Sequence, residues 1–574
     1  MKRHKGATGL VTSLSKNFPA SRSACRSASR SASLLLIGGL LLAGLTGCGD
    51  APKGGSQPAA GSAAATAPAG PKTVTIAQLA DMVGWNELLV PATPIHSGIL
   101  YYGLFLQLLE EQANYQSGPA TMKPRLAESW EFSPDRKILT FKLRPGLVWS
   151  DGVPITADDV LFTFEAQKTP EVGWQMAESK DRIERVEVVD PLTVRYHFKE
   201  IYSTQLIDAN EGVILPKHRW EKIPFKEWRN NAAFFDQNLV FSGPFKLESW
   251  QPNQRIILTR NEKYFEPGLP KVDRVVIEIV PDETNQVALL RAGTVDAIEN
   301  VPAQNVAELK QDPNLELPTH IPRTYFDIIW NTSRPLLAEK EVRQAITMAL
   351  DRQAIVDSLL FGYATVGCSP FPSSFWVRKQ DLKPWPYDPE RAKAQLASRG
   401  FKDSDGDGIL ERGGQRFEIE LLAPAQNLLR RNVALLAQQQ LKKVGIEVKL
   451  KVIDFNVLLE TLSKHQFDGV VSGLAIGTNL SLYDTFHSKS KDTYNWGVYS
   501  NPEVDRLIET LDAAVDPRTV RAEFDRVQEI LHEEQPVTFT YESQRIAGNR
   551  KRLRHFEPNS LSVFFNLRNW EVAD

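Results

Sequence analysis

The chain has 574 residues, with 67 basic and 70 acidic side chains, nine histidines and three cysteines. Its first 48 residues carry seven basic side chains and no acid, so the remainder sets 60 basic against 70 acidic groups, a net charge of −10. That balance excludes nucleic acid as a partner, because phosphates demand a basic face.

In chain order, Lys2, Arg3, Lys5, Lys16, Arg22, Arg26 and Arg30 precede an apolar run over residues 34–43, which ends in Leu45-Thr46-Gly47-Cys48. A basic region, a short apolar stretch and small residues before a cut site make a secretory signal over 1–48. The run is shorter than the roughly 20 apolar residues of a membrane-spanning helix. Leu45–Cys48 also resembles the lipobox of bacterial lipoproteins, which implies acylation of Cys48 and a lipid anchor holding an exported body on the periplasmic or cell-surface face. Gly49 follows, so the acidic inner-membrane retention signal is missing at that position and inner or outer membrane stays open. Residues 49–71 are mostly Gly, Ala, Pro and Ser, cannot bury enough apolar surface to offset chain entropy, and read as a tether. After export only Cys48 and Cys368 remain, so no intrachain disulfide framework is available.

The body shows α/β grammar twice. Residues 273–280 alternate as a strand, Glu283–Ala292 form a helix stopped by Gly293, and 294–301 return to a strand. A longer unit follows the same order. Phe417, Ile419 and Leu421 share a strand face, 428–444 have helical spacing closed by Gly445, and Ile446, Val448, Leu450 and Val452 alternate again. Strand–helix–strand units of this length predict parallel pairing by right-handed crossover, hence two α/β lobes. Ahead of both units, 138–143, 185–189 and 194–198 read as hairpin strands with turn chemistry at Ser133-Pro134-Asp135 and Asp190-Pro191. Residues 106–235 are therefore expected as a β-rich insertion, and 339–361 as one long amphipathic helix.

Several runs then carry a resemblance: Leu126-Ala127-Glu128-Ser129-Trp130, Trp149-Ser150-Asp151-Gly152, Thr156-Ala157-Asp158-Asp159-Val160, Ser242-Gly243-Pro244-Phe245, Val342-Arg343-Gln344-Ala345, Asp388-Pro389-Glu390-Arg391-Ala392 and Asn501-Pro502-Glu503-Val504-Asp505. Together they resemble the extracellular solute-binding proteins of family 5, the peptide/nickel type. Thr156 and Asp159 make a near capping box, so the first signature reads as scaffold rather than site. The resemblance implies a type II periplasmic-binding-protein-like fold of three domains. Lobe I would take 72–105, 236–328 and 537–574, the β-rich subdomain 106–235 and lobe II 329–536. Tyr325–Asn331 and Val537–Tyr541 would be the two crossings of a hinge that closes on ligand.

What it further implies is a binding protein rather than an enzyme, needing no cofactor. It would deliver a solute, an oligopeptide first, to the permease subunits of an ABC importer, and act as a monomer. In peptide-binding relatives an acid in the loop after a Phe-Asp strand pairs with the ligand's ammonium. Here Phe467-Asp468 is followed by no acid until Asp484, which is expected on the next helix. The candidate ligand residues are therefore Gly473, Ala475, Gly477, Thr478 and Asn479 in that loop, with Trp85, Tyr325 and Trp496 as aromatic walls. A buried ammonium without a counter-ion is costly. Either another acid serves, or the ligand is an oligosaccharide or other solute, or the scaffold has become an envelope sensor. Asp403, Asp405 and Asp407 resemble the start of a calcium loop, but Gly414 stands where the bidentate acid belongs, so a metal-free turn is expected. No His-Glu-x-x-His, nucleophile elbow or P-loop occurs, and Cys368 reads as a small buried residue.

Overall fold

The computed structural model describes residues 70–573 apart from Ala92. The signal, Cys48 and the tether up to residue 69 lie outside the described residues. Alternating burial along Thr73–Gln78 makes a strand that pairs in parallel with Arg274–Ile279 and Ala297–Ile298 on its two sides. Helix Glu283–Ala292 is the crossover between those two partners. Asp282 accepts the Asn285 amide at its start (2.8 Å), and Gly293, at φ +74°, ends it. The strand expected over 294–301 shrinks to Ala297–Ile298, because the amides of Thr294 and Val295 turn back to the Leu289 carbonyl. Antiparallel strands complete a seven-stranded sheet.

The second unit builds a six-stranded sheet. Glu418–Pro424 and Glu447–Ile453 pair in parallel across helix Leu428–Lys442, and Thr324–Trp330 runs antiparallel between Gly469–Ala475 and Val537–Ser543. One face buries Ile328, Trp330 and Leu421 under helices, and the other buries Tyr325, Ile329 and Val470. Strands Ala127–Phe132, Ile138–Leu143, Thr193–Phe198 and Ile183–Asp190 form a separate antiparallel sheet crossed by helix Ala157–Lys168, and they share one core with the seven-stranded lobe. The bilobal three-part fold is the one expected.

Two expectations change. The strands Thr324–Trp330 and Val537–Ser543 are not crossings but lie inside the six-stranded sheet. The chain crosses earlier and returns later, at Thr319–His320 and Arg545–Ile546, which pair with each other. The apolar run 325–331 masks this, because it reads as core whichever sheet it joins. The long helix over 339–361 is two, Lys340–Ala349 and Arg352–Leu359. Asp351 breaks it by capping the second helix through the Ala354 amide (2.9 Å).

The signature residues are scaffold. Asp159 accepts the amides of Thr156 (2.9 Å) and Lys217 (3.0 Å), tying a helix start to a distant segment. Arg343 is 4 % exposed and donates to the carbonyls of Leu337, Ala338, Glu534 and Gln535. It satisfies a helix end that would otherwise leave orphan acceptors. Gly243 starts its strand against the turn at 103–104, where an added Cβ would lie 2.6 Å from the Gly103 carbonyl oxygen. The atoms nearest to it are all backbone, so Gly243→Ala should lower stability by about 1–3 kcal/mol, read as a lower urea midpoint at unchanged m-value.

One core residue breaks the pattern. Asp327 is 0 % exposed, and neither carboxyl oxygen has a hydrogen-bond partner among the described residues. Burial pushes its pKa to about 8, only partly opposed by Arg430. Because the folded value lies above the ordinary 3.8, the folded chain holds a proton that the unfolded chain releases, and stability falls as pH rises from about 4 to about 8. Asp327→Asn removes the ionisation. The variant should match the parent near pH 4 and exceed it by a few kcal/mol at pH 9, with the gap opening between the two, in thermal melts across pH.

Candidate functional site

The lobes meet where the segment after strand Leu109–Glu111 lies against the six-stranded lobe. The Tyr115 ring sits 5.4 Å from Phe375, and its carbonyl accepts the Trp376 amide (2.6 Å). A second contact joins Ser203 to the Asp512 carbonyl through its amide (3.5 Å) and hydroxyl (3.2 Å). The Asp512 carboxylate also accepts the Ser481 hydroxyl (3.0 Å), so the loop after Gly469–Ala475 is held against this contact.

Of the expected residues, that loop reaches the interface. Thr478 is half-buried and bonds across the lobes to Glu111. Ala475, Gly477 and Asn479 lie beside it, Ala475 and Gly477 exposed, and the Asn479 side-chain oxygen accepts the Ser481 amide (3.2 Å). Gly473 has a packing reason, since a Cβ there would lie 2.6 Å from the Phe326 ring. The three aromatic residues are dispersed. Trp85 lies in the lobe I core, edge-on to Trp250 at 5.6 Å. Trp496 packs edge-on to Tyr494 at 5.4 Å, and its carbonyl meets His465. Tyr325 is 1 % exposed and borders a pocket with Asp327. Asp468 is structural, accepting the Glu420 amide and pairing with Arg334, and Asp484 lies on the short helix after the loop, as expected.

Residues not anticipated give the interface its charge. Glu110 and Glu111 end one strand, but their surroundings differ. Burial works against the Glu110 carboxylate, yet Arg125 (3.3 Å) and Arg568 (2.7 Å) outweigh it and hold its pKa below the ordinary value. Glu111 makes no ion pair among the described residues. Burial raises its pKa against the pull of Arg323 and the hydroxyls of Thr478 and Tyr115, the last at 3.1 Å. Glu211 is raised the same way, against Lys180 and Arg323. Glu87 is raised by burial to about 7, although it accepts from the Tyr101 hydroxyl and the Val213 amide (2.7 Å). Three carboxyls thus share two cations, Lys180 and Arg323, and Arg323 stands directly after the outgoing crossing. The acid pair closing the apolar run 104–109 is the available signal in the sequence.

The acidic turn gathers Asp403, Asp405, Asp407 and Glu411 within 4.8 Å. Its oxygens are engaged by the turn itself. Asp403 accepts the amides of Gly406 (2.7 Å) and Gly408 (3.0 Å), Glu411 that of Ser404, and Asp407 pairs with Arg416. Cys368 is 2 % exposed, its thiol raised by burial and bonded to Arg378 and the Leu382 carbonyl. No helix among the described residues is long and apolar enough to cross a membrane.

Comparison with known proteins fits this architecture. The oligopeptide-binding protein AppA of Bacillus subtilis is 31 % identical over 478 residues, spanning 82 % of this chain and 86 % of that protein. Di/tripeptide-binding protein 1 of Pseudomonas aeruginosa is 25 % identical over 79 % of this chain and 87 % of its own length. The structure of B. subtilis AppA in complex with a nonapeptide superposes with a TM-score of 0.73 at 28 % identity, covering 88 % of this chain and all of that one. The profile of bacterial extracellular solute-binding proteins, family 5, matches residues 121–495. With two lobes, a paired double crossing and charged walls between them, the chain belongs to the bacterial extracellular solute-binding proteins of family 5.

Proposed function

We propose that this chain captures a peptide outside the cytoplasmic membrane, encloses it between its lobes and passes it to an ABC import permease. The observation that carries the reading is the likeness to oligopeptide-binding AppA over four-fifths of the chain. The cleft chemistry supports it. A peptide brings a cationic and an anionic end, and the facing walls offer Glu111 and Glu211 for the first and Arg323 for the second. The acid missing after Phe467-Asp468 is thus replaced from the opposite lobe. The exposed backbone at Ala475 and Gly477 and the Asn479 amide suit a peptide main chain. The protein works as a binding monomer without catalysis, exported and held to the membrane by lipid on Cys48.

Two measurements test the reading. A nonapeptide and a tripeptide with free termini should raise the melting temperature of the purified protein, whereas oligosaccharides should not. At 100-fold excess over Kd the stabilisation is about 2.7 kcal/mol. Absence of a shift with any peptide, or a shift with sugars alone, defeats it. Glu111→Gln should weaken a free-amine peptide by about tenfold or more and leave its N-acetylated form nearly unchanged, by calorimetric titration.

A further inference from the structure

We propose that the hairpin over 109–124 is a clasp between the lobes, with Tyr115 at its tip as a positioning residue. Tyr115 fixes the Glu111 carboxyl for the solute's ammonium, and does so only where its ring is docked on the opposite lobe. The proposal rests on the peptide reading above and adds a coupling to it, in which recognition of the amine depends on closure.

The hairpin is rooted in one lobe and ends in the other. Strands Leu109–Glu111 and Met122–Pro124 pair antiparallel, and the Gln112 amide closes the loop between them on the Thr121 carbonyl (2.9 Å). At the root, Leu109 is buried in the lobe I core, and Glu110 is paired with Arg125 and Arg568. At the tip, Tyr115 is only 3 % exposed although it stands in a loop, because its ring joins the core of the six-stranded lobe beside Phe375. Ala113 and Ala120 pack on that same core, and the Trp376 amide donates to the Tyr115 carbonyl. Burying an aromatic ring removes a large apolar surface from water, and here that burial requires both lobes.

The polar end of the same side chain meets the ligand acid. The Tyr115 hydroxyl donates to the Glu111 carboxyl (3.1 Å), and Thr478 bonds to that carboxyl from the opposite lobe. Burial and the neighbouring carboxyl hold the phenol far above its ordinary pKa, so it stays a donor. Donors to a carboxylate favour its charged form, the form that an ammonium needs. When the lobes part, Thr478 leaves with its own lobe and the Tyr115 ring loses its seat. Tyr115→Phe keeps the ring seated and drops the bond to the acid, whereas Tyr115→Ala removes both.

That difference is the test. Calorimetry compares a free-amine nonapeptide with its N-acetylated form, and hydrogen exchange at the Trp376 amide reports docking of the tip. Tyr115→Phe should lower the preference for the free amine by about threefold or more. Its Trp376 amide, under saturating peptide, should stay as protected as in the parent. Tyr115→Ala should lose that protection and weaken both peptides by about tenfold or more. A preference that survives intact in Tyr115→Phe, or an amide that stays protected in Tyr115→Ala, overturns the proposal. If no peptide binds at all, the peptide reading fails, and the clasp is decided on the solute-free protein. Protection of the Trp376 amide in the parent but not in Tyr115→Ala then supports it, and equal exchange in the two overturns it.

Discussion

The molecule depends on a narrow double crossing. Thr319–His320 and Arg545–Ile546 pair over two residues each, and these are the only strand pairing between the segments that carry the chain out of one sheet and back among the described residues. Pro318 and Pro322 flank the outgoing strand. Neither has an amide hydrogen to continue a ladder, so the ribbon stays short. His320 is pushed down to about 4 by burial and by Arg545, so it is neutral and adds no repulsion to that cation. The crossing also sets the positions that follow it: Arg323 stands three residues past it, and Tyr325 and Asp327 are buried within strand Thr324–Trp330.

Strand alternation then sorts chemistry from scaffold. Glu110 and Glu111 are adjacent, and successive strand residues point to opposite faces. One therefore meets two arginines inside lobe I, while the other stands without an ion pair at the lobe interface. The same rule divides Tyr325-Phe326-Asp327. Phe326 stacks on Tyr541 at 4.5 Å on one face, and its neighbours share the other with the pocket. Two short stretches thus supply both structural fixtures and the groups left to meet something else.

Much of this architecture is legible in the amino-acid sequence, for definite reasons. Helix Glu283–Ala292 and the parallel unit 418–453 follow local rules, a cap, a left-handed glycine and alternation, that need no knowledge of distant partners. The crossing is displaced from its expected place because the apolar strand Thr324–Trp330 fits either lobe, and only pairing decides between them. The cleft acids escape the sequence for a related reason. Glu111 and Glu211 are 100 residues apart, and nothing local distinguishes Glu111 from the paired Glu110. The loop after strand Gly469–Ala475 is recognisable, because a Phe-Asp pair, Phe467-Asp468, stands immediately ahead of that strand. Trp85 and Trp496 stand out by residue type, and packing alone accounts for where each one sits.

A completeness criterion separates the two kinds of residue better than residue type does. Arg343 is nearly as buried as Asp327, yet its guanidinium reaches four carbonyls, and every such bond is internal. A group satisfied in this way has nothing left to offer a ligand, and its role ends with the fold. Asp327 has no hydrogen-bond partner among the described residues, at a position where an apolar residue would pack without the penalty of burying an acid. Folding does not explain such a residue, because folding is worse for it. An unmet acceptor in the core costs stability until something meets it, and Asp327 lessens that cost by keeping its proton, with Arg430 the nearest opposing charge.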